Sequence, residues 1–207
     1  LKAHLAWVSA PCQPSCSANL YPRKNDPRAL AAVKTARMLV LAGTPLVLYE
    51  NSRGWPHTKA YADTCKVFRE GGYAVETHML DGAKLGLAQN RVRSITAAFL
   101  GSQSLGLQEA IAEINSRKDA VIRDVLPGVR HLYCPPRIEK TQACVISAAN
   151  KYPSITTKFG GQPPRNYQAR ARDSAPLHEA TIPGVRELTV LMGFPKDFPF
   201  ERGARRC

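Results

Sequence analysis

Apolar and polar positions alternate between strand-like and helix-like spacing through the first half of the chain. Residues 6–10 (Ala-Trp-Val-Ser-Ala) form a short apolar run that predicts a strand leading into Pro11-Cys12. A polar loop with Pro14, Ser15, Ser17 and Asn19 follows. Asp26-Pro27 predicts a helix start, with Asp as N-cap and Pro at the first helical position. Leu30, Val33, Ala36, Met38, Leu39 and Leu41 carry that helix to Gly43, a glycine stop. Pro45-Leu-Val-Leu-Tyr49 is a continuous apolar run, the pattern of a strand buried on both faces, and it ends at Glu50-Asn51. Tyr61, Cys65 and Phe68 predict a helix over 58–70, stopped by Gly71-Gly72. Strands are predicted over 73–80 and 94–100, with the loop Gly86-Leu-Ala-Gln-Asn-Arg91 between them.

Strand, helix, strand, helix, strand is the signature of an open α/β sheet. Ligands of such sheets bind where the strands end. Cys12 and Glu50 both follow predicted strands, which places them on one rim. The pattern changes after about residue 102. A helix is predicted over 107–117, and from Pro127 onward the chain is rich in Pro, Gly and Arg, with short strands at best. Lys158, Arg165, Arg170 and Arg172, with Lys151 shortly before them, make this stretch basic. The expected organisation is a core over 1–100, a small irregular region over 101–185 and a segment over 186–207 that returns to the core.

Composition is globular, 44% hydrophobic and 22% charged. Net charge is +13, which favours a polyanionic partner, nucleic acid before an acidic membrane surface. No run of 18 apolar residues exists, and no charged-then-apolar leader opens the chain. A start at Leu1 and an end at Cys207 predict a fragment lacking material at both ends. The six cysteines include no Cys-x-x-Cys pair, and no His stands at zinc-finger spacing, so no structural metal is expected and reduced thiols are.

Three places carry candidate chemistry. Cys12, in a loop after a strand, is accessible enough to react, although free cysteines are more often buried structural residues. A carboxylate at the end of a buried strand, as at Glu50, is partly desolvated and suited to holding a proton near neutrality. The alternative is a solvated acid beside an Asn51 helix cap. In Gln89-Asn-Arg-Val-Arg93 the two arginines alternate, so in extended chain they face one side and can hold a carboxylate or a carbonyl. Alone, each of these also reads as ordinary surface chemistry.

Together and in order they are specific. Pro11-Cys12-Gln13, then Glu50-Asn51, then Gln89-x-Arg91-x-Arg93 resembles the cytosine-5 DNA methyltransferase family. Asp26-Pro27-Arg28 resembles the family's Asp-x-Arg segment, and Tyr152-Pro-Ser-Ile-Thr-Thr157 its Pro-x-x-Thr stretch. Arg186-Glu187 and Leu191-Met-Gly-Phe-Pro195 resemble the segment that closes the family's variable region. Ser52 and Ala88 depart from the usual valine and proline. The family's glycine-rich cofactor motif and its last Gly-Asn motif have no counterpart here.

The resemblance implies part of a Rossmann-like, class I S-adenosylmethionine-dependent methyltransferase sheet with a small target-recognition region. It implies that Cys12 adds to C6 of a flipped-out cytosine, Glu50 shares a proton with ring N3, Arg93 donates to O2, and Arg91 orients the glutamate and loop. Pro11, Gln13, Ser15, Ser17, Asn51 and Gln89, with Lys158, Arg165, Arg170 and Arg172, are the expected nucleic-acid contacts. Pro11 and Leu30 would border S-adenosylmethionine, most of whose site belongs to the family's N-terminal part; no metal is implied. The expected partner is double-stranded DNA, met in cytoplasm, nucleoid or nucleus by a monomeric catalytic unit, with no membrane. A tRNA-methylating relative and an inert nucleic-acid-binding relative are the alternatives. A thymidylate-synthase-like enzyme also uses Pro-Cys, but it has no place for Glu50 and the arginine loop. The 207 residues alone are expected to be inactive in methyl transfer.

Overall fold

The computed structural model describes residues 3–11, 27–101, 106–134, 144–147, 149–153, 180 and 183–198. They fall into two compact units, one built from 1–80 and 92–115, the other from 81–91 and 116–207. These units follow packing and cut across the functional division read from the sequence. The loop that carries Gln89 and Arg91 packs with the later residues, and the helix after residue 106 packs with the sheet.

The first unit holds β1 (Leu5–Ser9), α1 (Ala29–Leu41), β2 (Leu46–Ser52), α2 (Lys59–Glu70), β3 (Tyr73–Asp81), β5 (Val92–Leu100) and α3 (Leu107–Ser116). Its four-stranded sheet has the order β1-β2-β5-β3. β1 and β2 are parallel, joined by the crossover through α1, and β5 runs antiparallel to β2. Val47 and Tyr49 alternate onto one face of β2 and meet Ala32 and Ala36 of α1, Phe68 of α2, Tyr73 and Ala98 in one buried cluster. Tyr49 donates its hydroxyl to the Ala32 carbonyl at 3.0 Å, which satisfies a polar group inside that cluster, and burial pushes its phenol pKa up. β1 forms one edge of the sheet, with Leu5 and Trp7 exposed.

Two helix starts differ from expectation, and the glycine stop at Gly43 holds. α1 starts at Ala29 with Arg28 as N-cap and no side-chain cap hydrogen bond from it, two residues later than Pro27. Gly43 follows the C-cap Ala42 and takes a φ of 61°, the left-handed turn that favours glycine after a helix. The second helix starts at Lys59, because Thr58 stays extended and its hydroxyl accepts from the Tyr61 amide at 3.1 Å.

The second unit is built from short elements: β4 (Gln89–Asn90), α4 (Ile122–Val125), β6 (His131–Cys134), β7 (Cys144–Ser147), β8 (Tyr152–Pro153) and α5 (Val185–Leu191). β4 pairs in parallel with β8, and β6 pairs antiparallel with β7. Ala88, Ile122, Leu132, Ile146, Tyr152 and Leu191 form its core. Short strands do occur after Pro127, as the composition predicts, and the short helix α5 adds to them.

Candidate active site

Glu50 is the centre of the site in the first unit. It lies inside β2 rather than after it, a correction with a clear cause. The backbone ladder continues through the polar residues, with Glu50 opposite Ile95, Asn51 opposite Ser94 and Ser52 opposite Arg93. Side chains two apart on a strand share a face, so Glu50 and Arg93 are diagonal neighbours on adjacent strands. Arg93 Nε stands 2.9 Å from Glu50 Oε1. Ser9 Oγ donates to Glu50 Oε2 at 2.7 Å. Both carboxylate oxygens are thus engaged, and the side chain remains 23% exposed at the rim. The guanidinium uses Nε on Glu50 and Nη1 on the Val92 carbonyl at 3.0 Å, which leaves N–H capacity for a further acceptor. Arg93 thus makes an orienting contact to Glu50.

The parallel pairing of β1 with β2 sets Ser9 opposite Glu50. The ends of these two strands therefore share one rim, as the sequence pattern predicts. Ser9 was missed by sequence reasoning, and its signal was a polar residue closing an apolar strand. Cys12 lies three residues further along the chain. Cys12, Gln13, Ser15, Ser17, Lys158, Arg165, Arg170 and Arg172 lie outside the described residues, and so does Asp26.

Asn51 alternates to the opposite face from Glu50 and is 1% exposed. Its Nδ2 donates to the Ala10 carbonyl at 3.2 Å, and its Oδ1 accepts from the Ser52 amide at 2.8 Å. Asn51 ties the end of β1 to β2 immediately before Pro11-Cys12. Pro11 is exposed at the end of β1, and Leu30 is 53% exposed in the first turn of α1.

In the second unit Gln89 is 2% exposed and donates Nε2 to the Leu191 carbonyl at 3.1 Å. This bond ties its loop to the end of α5. The Arg91 carbonyl accepts from the Gly82 amide at 3.0 Å, which closes the loop. Among the described residues no group of three or more His, Cys, Asp or Glu is arranged to hold a metal ion. No described helix is long and apolar enough to cross a membrane.

At the rim of the first unit's sheet a carboxylate is therefore held by an arginine and a serine. The sequence profile of the C-5 cytosine-specific DNA methylase family matches residues 5–160, and the chain belongs to that family. It is 23% identical over 197 residues to the type II methyltransferase M.HgiDI of Herpetosiphon aurantiacus, covering 92% of this chain and 62% of that protein. The chain thus spans less than two thirds of that relative's length. Among solved structures it is similar to the methyltransferase EhMeth of Entamoeba histolytica, with a TM-score of 0.46 and 17% identity over 60% of this chain and 39% of the other. The Dnmt2 methyltransferase of S. pombe is similar with a TM-score of 0.43 and 25% identity over 61% of this chain and 39% of the other. The mixed α/β first unit, with its partial sheet, fits a Rossmann-like fold.

Proposed function

We propose that this chain carries the base-activating half of a methyltransferase that modifies C5 of cytosine in double-stranded DNA. The observation that carries the reading is the Arg93–Glu50 contact of 2.9 Å at the strand rim. The family match and the type II methyltransferase relative support DNA as the substrate.

Cytosine C5 is a weak nucleophile. A thiolate from Cys12 adds to C6, and the C5–C6 double bond becomes an electron-rich C5. Glu50 shares its proton with ring N3 and so stabilises the charge that addition puts on the ring. Arg93 holds Glu50 in place and has an N–H to offer to the O2 carbonyl. S-adenosylmethionine supplies the electrophilic methyl group when bound. Pro11 and Leu30, both exposed, would border it. Loss of the C5 proton then re-forms the double bond and expels the thiolate. A base stacked in a duplex cannot reach such a rim, so it is flipped out first.

The test is a covalent trap. With methyl donor and duplex DNA carrying 5-fluorocytosine, this chain joined to the family's cofactor-binding part should form an adduct that mass spectrometry maps to Cys12, because fluorine does not leave as a proton does. An adduct with 5-fluorocytosine tRNA but not with DNA would move the substrate to RNA. An adduct at Cys16 would overturn the assignment of the nucleophile.

A further inference from the structure

Lys151 belongs by sequence to the basic stretch that ends at Arg172, the natural place to look for phosphate contacts. The structure gives it other partners. Its Nζ is 2.6 Å from Asp119 Oδ2 and 3.3 Å from Asp81 Oδ2. Lys84 Nζ closes the group, 2.8 Å from Asp119 Oδ1, and donates to the Arg117 carbonyl at 2.6 Å. Two lysines and two aspartates make a cluster of zero net charge. The Lys151 side chain is 26% exposed, so these pairs are partly withdrawn from water. The paired charges hold the Asp119 carboxyl below, and the Lys151 ammonium above, their ordinary ranges.

The four residues lie where three chain segments meet. Asp81 opens the loop that runs to Arg91, and its Oδ1 caps the first turn of that loop by accepting from the Ala83 amide at 3.0 Å. The Gly82 amide donates to the Arg91 carbonyl and the Leu87 amide to the Gly82 carbonyl, each at 3.0 Å. The Ala120 amide, next to Asp119, donates to the Ala83 carbonyl at 2.9 Å. The Tyr152 amide, next to Lys151, donates to the Ala88 carbonyl at 2.8 Å. One ammonium therefore bridges the start of the loop, the connector at 117–120 and the segment that leads into the basic stretch.

We propose that Lys151 is a positioning residue and not a phosphate contact. It is a strut that registers the loop carrying Gln89 and Arg91 against the segment leading into the nucleic-acid-binding stretch. The proposal rests on the reading of that loop as part of the base-activating site, but the strut can be tested apart from it.

The first arm is amide hydrogen exchange on the full chain. Lys151→Met should speed exchange in peptides covering 82–91 about fivefold, the scale of one partly exposed charge pair. Asp119→Asn should do the same, and Lys151→Arg should restore wild-type rates. Exchange over 94–99 should not change, which separates loss of the strut from general unfolding. Equal rates over 82–91 in wild type and Lys151→Met overturn the proposal.

The second arm is the salt dependence of binding to a fluorescent non-specific duplex. Lys151→Met should leave the slope of log K against log salt unchanged. A drop of about one, the value for one lost phosphate contact, overturns the proposal. Failure of the wild-type chain to bind any duplex contradicts the proposed function alone, and the exchange arm still decides the strut.

Discussion

Glu50→Gln is expected to slow attack on the cytosine ring by about 10²- to 10³-fold, with affinity for DNA changed by no more than about twofold. One positioned donor to developing charge contributes about that much, and a general acid contributes a similar amount. Glutamine keeps the shape of Glu50 but cannot share a proton with ring N3 as a carboxyl group does. It also removes the charge that holds Arg93 at 2.9 Å. The readout need not involve a methyl donor. After thiolate addition at C6, C5 can take a proton from water; loss of the original hydrogen and of the thiolate then returns cytosine with its C5 hydrogen exchanged. Tritium released from DNA containing [5-³H]cytosine therefore reports the attack step itself. A Glu50→Gln chain that releases tritium within about threefold of wild type contradicts the role given to Glu50.

Phe68→Ala is expected to destabilise the first unit by about 3–5 kcal/mol, the cost of removing a fully buried aromatic side chain and leaving a cavity. Phe68 is 0% exposed. Its ring lies edge-on to Tyr49 at 5.8 Å between centroids and tilted to Tyr73 at 5.4 Å, so the cavity would open between α2, β2 and β3. Set against a domain stability of about 5–15 kcal/mol, such a loss leaves a large unfolded fraction. Phe68→Leu, which keeps much of the volume, should cost no more than about 1.5 kcal/mol. Denaturant unfolding followed by circular dichroism gives both numbers. An alanine variant no less stable than the leucine variant would show that this cluster is not the core of the unit.

The sheet was legible because its strands differ in kind from its helices at the level of single residues. Leu46 to Tyr49 is apolar without interruption, and α2 is periodic and capped by Thr58. The end of β2 was not legible. Hydrophobicity stops at Tyr49, while the hydrogen-bond ladder runs on to Ser52, since backbone pairing does not depend on apolar side chains. The rim shared by Glu50 and the end of β1 followed from strand order alone, and the Pro-Cys, Glu-Asn and Gln-x-Arg-x-Arg order carried the resemblance to the family.

What the sequence hid is long-range pairing. Lys151 reads as one more cation of a basic stretch, and only the fold brings it to Asp119 and Asp81. Gln89 donates its amide to the carbonyl of Leu191, 102 positions away, a pairing that no local pattern announces. Arg91 and Arg93 read as equivalent neighbours, but the chain passes from one compact unit to the other between them. Asn51 reads as part of a Glu-Asn pair facing one ligand, and strand alternation sends the two side chains to opposite faces.

The central claim, that Cys12 attacks a cytosine held against Glu50 and Arg93, is tested most directly by C5 hydrogen exchange. The chain is incubated with duplex DNA containing [5-³H]cytosine in the absence of methyl donor, and tritium in water is counted. The account predicts release by the wild-type chain, retained in Cys16→Ala and abolished in Cys12→Ala. Release that persists in Cys12→Ala, or no release from the wild-type chain, would contradict it.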